Sequence, residues 1–161
     1  MENVQRLVKE ANRSIQTADH LAYVTYPLVK EMKLLLTIAE NVYVSMMCAM
    51  EALLEYDYNY RRISYIPQDF QQKYEIFKKA SVKYNINRLQ INTITDLKSM
   101  LELHKKAPMV FTREEKLIIA SQGYRIMKTL NIDQVKQYII QAKPFVEKVI
   151  ILTTQNDRRL A

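Results

Sequence analysis

A single glycine, Gly123, occurs in this chain of 161 residues. Glycine is the usual residue wherever a backbone turns through positive φ, so a chain with one glycine is expected to make few such turns and to be helical. Four prolines, Pro27, Pro67, Pro108 and Pro144, are then the main breaks or kinks, because proline disrupts a helix and biases the preceding residue against helical dihedrals. The composition therefore predicts an all-α fold.

The length indicates one domain, since about 100–200 residues commonly share one hydrophobic core. We expect a helical bundle of about five helices over residues 1–152 and a polar C-terminal tail over residues 153–161. The single cysteine, Cys48, has no partner for an intramolecular disulfide, and the first residues lack the apolar stretch of a signal peptide. These features favour a cytoplasmic protein.

The spacing of apolar residues predicts the first two helices. A first helix over 4–22 has apolar residues at intervals of three or four and ends before Tyr26-Pro27. A second, long helix over about 30–60 is apolar on most of its circumference, as expected of a central helix. The apolar residues of the first helix are Val4, Val8, Ala11, Ile15, Ala18 and Ala22.

One segment of the long helix, 34–54, is about long enough to cross a bilayer. Glu40, Asn41 and Glu51 lie inside it, and carboxylates are costly in lipid. We therefore predict no membrane association and interpret Glu40, Glu51 and Glu55 as a solvated stripe of a central helix.

Three more helices are expected. The third follows Pro67, and the fourth is capped by Asn87 and closed by Pro108. The last begins at Asn131, where Gln134 has capping-box spacing, and continues through Pro144 with a kink. Their apolar faces carry Phe70, Tyr74, Phe77 and Tyr84, then Ile94, Leu97 and Leu101, then Ile132, Val135, Ile139, Ala142, Val146 and Val149.

The stretch between the last two helices allows two interpretations. Its β-branched residues and the turn at Gln122-Gly123 predict a short β-hairpin near 116–130, with strands over 116–121 and 124–130. Alternatively, Thr112 and Glu115 have capping-box spacing and would begin a helix that contains Gly123. The hairpin is favoured.

Charge is divided unevenly along the chain. Residues 1–60 carry five Lys or Arg against eight Asp or Glu, a net charge of −3, whereas residues 61–161 carry nineteen against nine, a net charge of +10. Such asymmetry suggests a polyanionic partner.

Several chemistries lack the residues they need. Two histidines and one cysteine do not make a zinc site, and a single glycine leaves no phosphate-binding loop of the Walker or dinucleotide type. We therefore predict no metal site and no cofactor.

The tyrosine- and arginine-rich segment 56–65 is the best candidate binding site. Aromatic rings can stack on nucleic-acid bases while cations neutralise phosphates, so we predict that Tyr58, Arg61, Arg62, Lys78 and Lys79 contact RNA or a nucleotide. The structural alternative is that the tyrosines cover the edge of the core while the arginines extend to water.

A family resemblance is visible over residues 4–60 and in the last helix. Ala11, Ala18 and Leu21, then Ala39-Glu40 and the run Met50-Glu51-Ala52-Leu53-Leu54, resemble the first two helices of HEPN domains, and 141–147 resembles their closing helix. The resemblance implies a small, often dimeric helical bundle of prokaryotic defence and toxin–antitoxin systems, frequently found beside nucleotidyltransferases.

Ribonuclease members of that family carry an Arg, four to six residues and a His near the last helices. Here His104 and Arg113 stand in the reverse order, and Arg13 and His20 have the spacing but lie in the first helix. The sequence therefore favours a non-catalytic HEPN-like module, a homodimer that binds RNA, a nucleotide or a protein partner. The alternatives are a metal-independent ribonuclease using His20 or His104, or a purely structural interaction bundle.

Overall fold

The computed structural model describes residues 1–107 and 109–160, with side chains up to Gln155. The fold is mostly α-helical with one small antiparallel sheet, so the helical class predicted from the single glycine is confirmed. The helices are α1 (Glu2–His20), α2 (Tyr26–Val29), α3 (Lys33–Asn59), α4 (Phe70–Lys83), α5 (Arg88–Lys106) and α6 (Ile132–Leu160), and the strands are β1 (Met109–Arg113), β2 (Lys116–Ala120) and β3 (Met127–Leu130).

Helix α3 lies at the centre of the fold. Helix α1 packs along it most extensively, and α6 and α5 also pack against it. Met46 and Met50 are fully buried within this chain, and the buried hydroxyl of Ser45 donates a hydrogen bond to the carbonyl of Ala11 in α1 at 2.5 Å. Of the helices in the described part of the chain, α3 alone is long and apolar enough to cross a membrane, and half of its most apolar window is buried.

The break expected at Tyr26-Pro27 lies instead at Lys30. A π-helical turn over Leu21–Thr25 joins α1 to α2, and the chain leaves α2 only at Lys30, whose φ is +47°. Pro27 lies in the first turn of α2, where a missing N–H is tolerated. The wider π turn gives room to the proline ring, which would otherwise clash with the carbonyl four residues earlier.

The predicted caps of the later helices are confirmed. Asn87 accepts a hydrogen bond from the N–H of Leu89 at 2.8 Å, and its own N–H donates to the Gln90 side chain. Asn131 and Gln134 exchange reciprocal hydrogen bonds of 2.8 and 3.2 Å. These reciprocal bonds satisfy N–H groups that a helix leaves without partners.

The last two helices end differently from one another. Helix α5 ends at Lys106, and the expectation that Pro108 closes it falls outside the described residues. Helix α6 continues through Pro144, as expected, and runs to Leu160, so residues 153–160 belong to it.

The β-hairpin is confirmed, and the alternative helix beginning at Thr112 is wrong. Strands β2 and β3 pair antiparallel across a turn in which Gly123 has φ +75°. Sequence analysis missed β1, which pairs with the other side of β2 through a two-residue turn. In that turn Glu114 and Glu115 have φ angles of +50° and +60°, the values of a type I′ turn. Such turns usually contain Asn-Gly or Gly-Gly, and neither pair occurs at this position, so the turn was not predicted.

The middle strand of the sheet, β2, is buried from Leu117 to Ala120. Leu117, Ile119 and Leu130 are buried with the helical core, whereas β1 is exposed except for the half-buried Phe111. The strand order is β1-β2-β3, which leaves β1 and β3 at the edges.

Candidate functional site

The tyrosine- and arginine-rich segment begins at the C-terminal end of α3. The N–H of Arg62 donates to the carbonyl of Asp57 at 2.8 Å, and the N–H of Arg61 donates to the carbonyl of Tyr58 at 3.0 Å. This is the Schellman pattern, in which glycine usually occupies the left-handed position. Arg61 holds that position here, with φ +57°.

Helix α4 ends in the same way. The N–H of Ile86 donates to the carbonyl of Ser81 at 2.9 Å, and Asn85 takes the left-handed position with φ +54°. Lys148 of α6 donates to the Asn85 carbonyl at 2.7 Å. The negative end of the α4 dipole is therefore partly compensated by a cation from another helix.

A buried carboxylate joins these two helix ends. Asp57 is 2% exposed and accepts hydrogen bonds from the Tyr84 hydroxyl and, at 3.3 Å, from the Arg62 guanidinium. Arg62 also donates to the Tyr84 oxygen at 2.8 Å and lies 5.4 and 5.2 Å from the ring centroids of Tyr56 and Tyr60. Burial, followed by the hydrogen bond to Asp57, raises the pKa of Tyr84, so its phenol keeps its proton at alkaline pH values at which a free tyrosine ionises.

An open cleft of about 1030 Å³ lies beside this cluster, and we call it the basic cleft. Arg61, Lys79 and Lys83 are exposed at its wall and form no ion pair with any described residue. Asp57 is its one carboxylate among the described lining residues, and Arg62 pairs with it. The cleft therefore carries an excess of positive charge. Its lining is Asp57, Tyr58, Asn59, Arg61, Arg62, Ile63, Ser64, Tyr65, Ile76, Lys79, Ala80 and Lys83.

A second groove of about 480 Å³ adjoins the basic cleft and shares Tyr58 and Tyr65 with it. These two tyrosines are 47% and 59% exposed. The second groove mixes charges, since Glu51 pairs with Lys73 at 3.1 Å and Glu55 faces the same space. The two exposed rings thus stand at the boundary between a basic and a mixed surface.

The structure brings together four of the five predicted contact residues. Tyr58, Arg61, Arg62 and Lys79 line the basic cleft. Lys78 does not, because its ammonium pairs with Glu75 at 2.8 Å and lies over the ring of Tyr74.

Sequence analysis placed Asp57 and Tyr65 in the candidate segment 56–65 without naming them as contact residues, and it assigned Tyr84 to the apolar face of the third helix. Tyr65 could have been predicted as a contact residue by the argument used for Tyr58, because it is an aromatic residue close to the arginines of the same segment. The pairing of Tyr84 with Asp57 spans 27 residues and leaves no local signal.

The candidate nuclease residues lie apart. Arg13 is exposed and pairs with Glu10 at 2.8 Å, and His20 is exposed at the end of α1. His104 lines a cavity of about 380 Å³ between α3 and α5, while Arg113 ends β1. Within the described residues, no hydrogen bond or ion pair joins any two of these four.

No metal-binding cluster of three or more His, Cys, Asp or Glu side chains occurs among the described residues. Burial, and next the charge of Glu51, raises the pKa of the half-buried Cys48 thiol, which makes it a poor nucleophile at neutral pH. Comparison with protein-family models, curated proteins and solved structures yields no match to this chain.

Proposed function

We propose that this protein is a non-catalytic, HEPN-like helical bundle whose basic cleft binds single-stranded RNA in the cytoplasm. The observation that carries the proposal is the exposure of Arg61, Lys79 and Lys83 around one cleft whose single described carboxylate is already paired. These three cations form no ion pair with a described residue, although Lys83 lies 5.3 Å from the ring centroid of Tyr84. Cations that are not neutralised by a carboxylate are available to phosphates, and releasing the counterions of a nucleic acid favours binding.

Aromatic side chains supply the second component of such a site. Tyr58 and Tyr65 are exposed at the rim, where large apolar rings gain little from the core. Rings of this kind stack on unpaired bases whatever the sequence, because every base has a flat face. A single strand lying along the cleft would thus place phosphates near Arg61 and Lys79 and bases on the two rings.

The cluster behind the cleft supports the same function. Arg62 is held by Asp57 and Tyr84 and lies against the rings of Tyr56 and Tyr60, so it neutralises the one carboxylate of the described lining and leaves the charges of Arg61, Lys79 and Lys83 for a ligand.

The non-catalytic assignment rests on the placement of the histidines. His20 stands at the end of α1, and His104 lines a different cavity from the proposed RNA site. A general acid or base must reach the proton that it transfers, within about 3 Å or through one water. Neither histidine lines the basic cleft.

The test is fluorescence anisotropy of a labelled single-stranded RNA at two salt concentrations, with the RNA run on a gel afterwards. The wild-type protein should bind intact RNA, and binding should weaken with salt. The triple variant Arg61→Ala, Lys79→Ala, Lys83→Ala should bind more weakly. The slope of its log affinity against log salt should be shallower by about 0.7 for each phosphate that the variant no longer neutralises.

A matched control removes equal charge elsewhere. Lys9, Lys33 and Arg125 are exposed and lie outside the cleft, so their replacement by alanine should leave most of the affinity. Equal losses in the two triple variants would assign binding to net charge and not to the cleft. Cleavage of the RNA would favour the ribonuclease alternative, and no binding at low salt would favour a nucleotide or protein ligand.

A further inference from the structure

The second groove differs from the basic cleft in its charge. Its described lining carries two acidic and two basic side chains, whose formal charges cancel, whereas the basic cleft has an excess of cations. A phosphate backbone gains little electrostatic energy in a groove without net charge. The second groove is therefore suited to a part of the ligand that carries no charge. Its four charged residues are Arg6, Glu51, Glu55 and Lys73.

One carboxylate of the second groove has no partner among the described residues. Glu51 pairs with Lys73 at 3.1 Å, and the Arg6 guanidinium donates to the Asn3 side chain at 2.7 Å. Glu55 is half-buried and forms no hydrogen bond or ion pair with any described residue. An ionised carboxylate accepts hydrogen bonds at both oxygens and donates none. The group that suits Glu55 is an uncharged one with N–H donors.

Two aromatic rings stand where the second groove meets the basic cleft. Glu51, Glu55 and Tyr58 are spaced by four and three residues, which places them on one face of α3. Tyr58 and Tyr65 are exposed and line both spaces. A strand whose phosphates lie along the basic cleft therefore has a stacking surface about one helical turn from Glu55.

We propose that the second groove receives a guanine base of the bound RNA, and that the Glu55 carboxylate accepts hydrogen bonds from its N1–H and N2–H groups. This inference rests on the proposed function, since it assigns the base that accompanies the phosphates of the basic cleft. Proteins read unpaired RNA bases mainly by stacking and by hydrogen bonds to their Watson–Crick edges. The groove measures about 480 Å³, within the range of about 300–1,000 Å³ that is typical of ligand pockets.

The pattern of donors selects guanine from the four bases. Guanine presents two adjacent N–H donors on its Watson–Crick edge, and these match the two oxygens of a carboxylate. Adenine and cytosine present one amino group there, beside a ring nitrogen that accepts hydrogen bonds. Uracil presents one N–H between two carbonyl oxygens, which a carboxylate repels. Hydrogen bonds to an ionised acceptor are about twice as strong as neutral ones, so the paired arrangement on guanine is the most favourable.

Anisotropy titrations with matched RNA strands of about six nucleotides test the choice of base. A labelled strand of uridines is compared with strands in which one central nucleotide is guanosine, adenosine, cytidine or inosine. Wild type should bind the guanosine strand about five- to a hundred-fold more tightly than the uridine strand. Inosine lacks the N2 amino group, so its strand should lose most of that advantage. This comparison requires no change in the protein.

Glu55→Gln tests the residue. The glutamine amide has one acceptor oxygen, and its NH₂ group opposes the second donor of guanine, so the guanosine and uridine strands should bind with nearly equal affinity. Glu40→Gln is the matched control. It removes the same charge from the same helix, but Glu40 is exposed and lines neither the second groove nor the basic cleft, so the preference for guanosine should remain.

The ratio of the two affinities is the quantity to compare, because removing a negative charge strengthens the binding of every RNA strand. Thermal melting of both variants checks that the fold is intact.

Several outcomes would overturn the inference and leave RNA binding in place. They are equal affinity for all strands, a preference for adenosine or cytidine over guanosine, an inosine strand that binds as tightly as the guanosine strand, and a guanosine preference that Glu55→Gln retains. No binding to any strand at low salt would instead refute the proposed function and this inference together. A guanosine preference that is lost both with inosine and in Glu55→Gln would establish it.

Discussion

The hydroxyl of Tyr84 donates a hydrogen bond to the carboxylate of Asp57, and this bond ties the end of α4 to the end of α3. Both residues are also bonded to Arg62. Asp57 and Arg62 line the basic cleft, and Tyr84 bonds to both from behind it, so this part of the wall depends on a contact between residues that a loop and the whole of α4 separate in the chain.

Removing the Tyr84 hydroxyl should destabilise the protein. Tyr84→Phe leaves the buried Asp57 carboxylate with one donor fewer, and we expect the free energy of unfolding to fall by about 1–3 kcal/mol. Urea denaturation measures the change. Tyr65→Phe is the control, because Tyr65 is exposed at the rim and a surface change of this kind stays within about 0.5 kcal/mol. Equal stability of the two variants would contradict a structural role for the bond.

High pH should destabilise the protein, partly through the same residue. The pKa of Tyr84 is raised in the folded state, so the folded protein holds this proton more tightly than the unfolded chain does. The resulting stabilisation is present below the unfolded pKa of about 10 and is lost as pH rises above it. Burial raises the pKa values of Tyr26, Tyr43 and Tyr138 in the same direction.

Denaturation at a series of alkaline pH values measures this loss. The free energy of unfolding should decrease above pH about 10 in wild type and decrease less steeply in Tyr84→Phe, because one of the shifted groups is gone. Identical slopes for the two proteins would show that Tyr84 contributes nothing to the alkaline transition.

Replacing Arg61 by glycine should separate stability from binding. Arg61 holds a left-handed backbone conformation at the end of α3, which glycine adopts without strain. Arg61→Gly should therefore raise the free energy of unfolding by about 1 kcal/mol. The same change removes a cation from the basic cleft and should weaken RNA binding.

Asn85→Gly is the matched control for Arg61→Gly. Asn85 occupies the equivalent position at the end of α4 but does not line the cleft. We expect a smaller gain in stability, since asparagine tolerates this conformation, and unchanged RNA affinity. If Arg61→Gly bound RNA as well as wild type, Arg61 would have no part in the proposed site.

Stacking at the rim should depend on the ring and not on the hydroxyl. Tyr58→Phe should bind single-stranded RNA as wild type does, whereas Tyr58→Ala should lose about 1–3 kcal/mol of binding free energy. Anisotropy titration at constant salt measures both. A loss in Tyr58→Phe as large as that in Tyr58→Ala would assign the interaction to a hydrogen bond.

Several features were readable from the sequence because their causes are local. The helices follow from apolar spacing, and the N-caps at Asn87 and Asn131 follow from side chains that bond within three residues. The turn at Gly123 follows from the one residue that takes positive φ without strain. The residues of the candidate cleft were mostly found as well, because Tyr58, Arg61 and Arg62 are neighbours in the chain.

Other features required the folded chain. Arg61 and Asn85 take left-handed conformations because each follows the end of a helix, where its own N–H and that of the next residue donate to carbonyls of the last helical turn. Glu114 and Glu115 take them in the turn that joins β1 to β2. Strand β1 forms because its backbone pairs with that of β2, and the turn between these two strands lacks the residues that usually mark a hairpin.

The sequence by itself determined the helical elements, the hairpin and the basic character of the second part of the chain, since each depends on composition or on residues a few positions apart. Only the tertiary structure decided that Asp57, Arg62 and Tyr84 meet, that Lys78 faces away from the cleft, and that β1 forms an open edge. Contacts between residues far apart in the chain arise from packing, which local patterns do not encode.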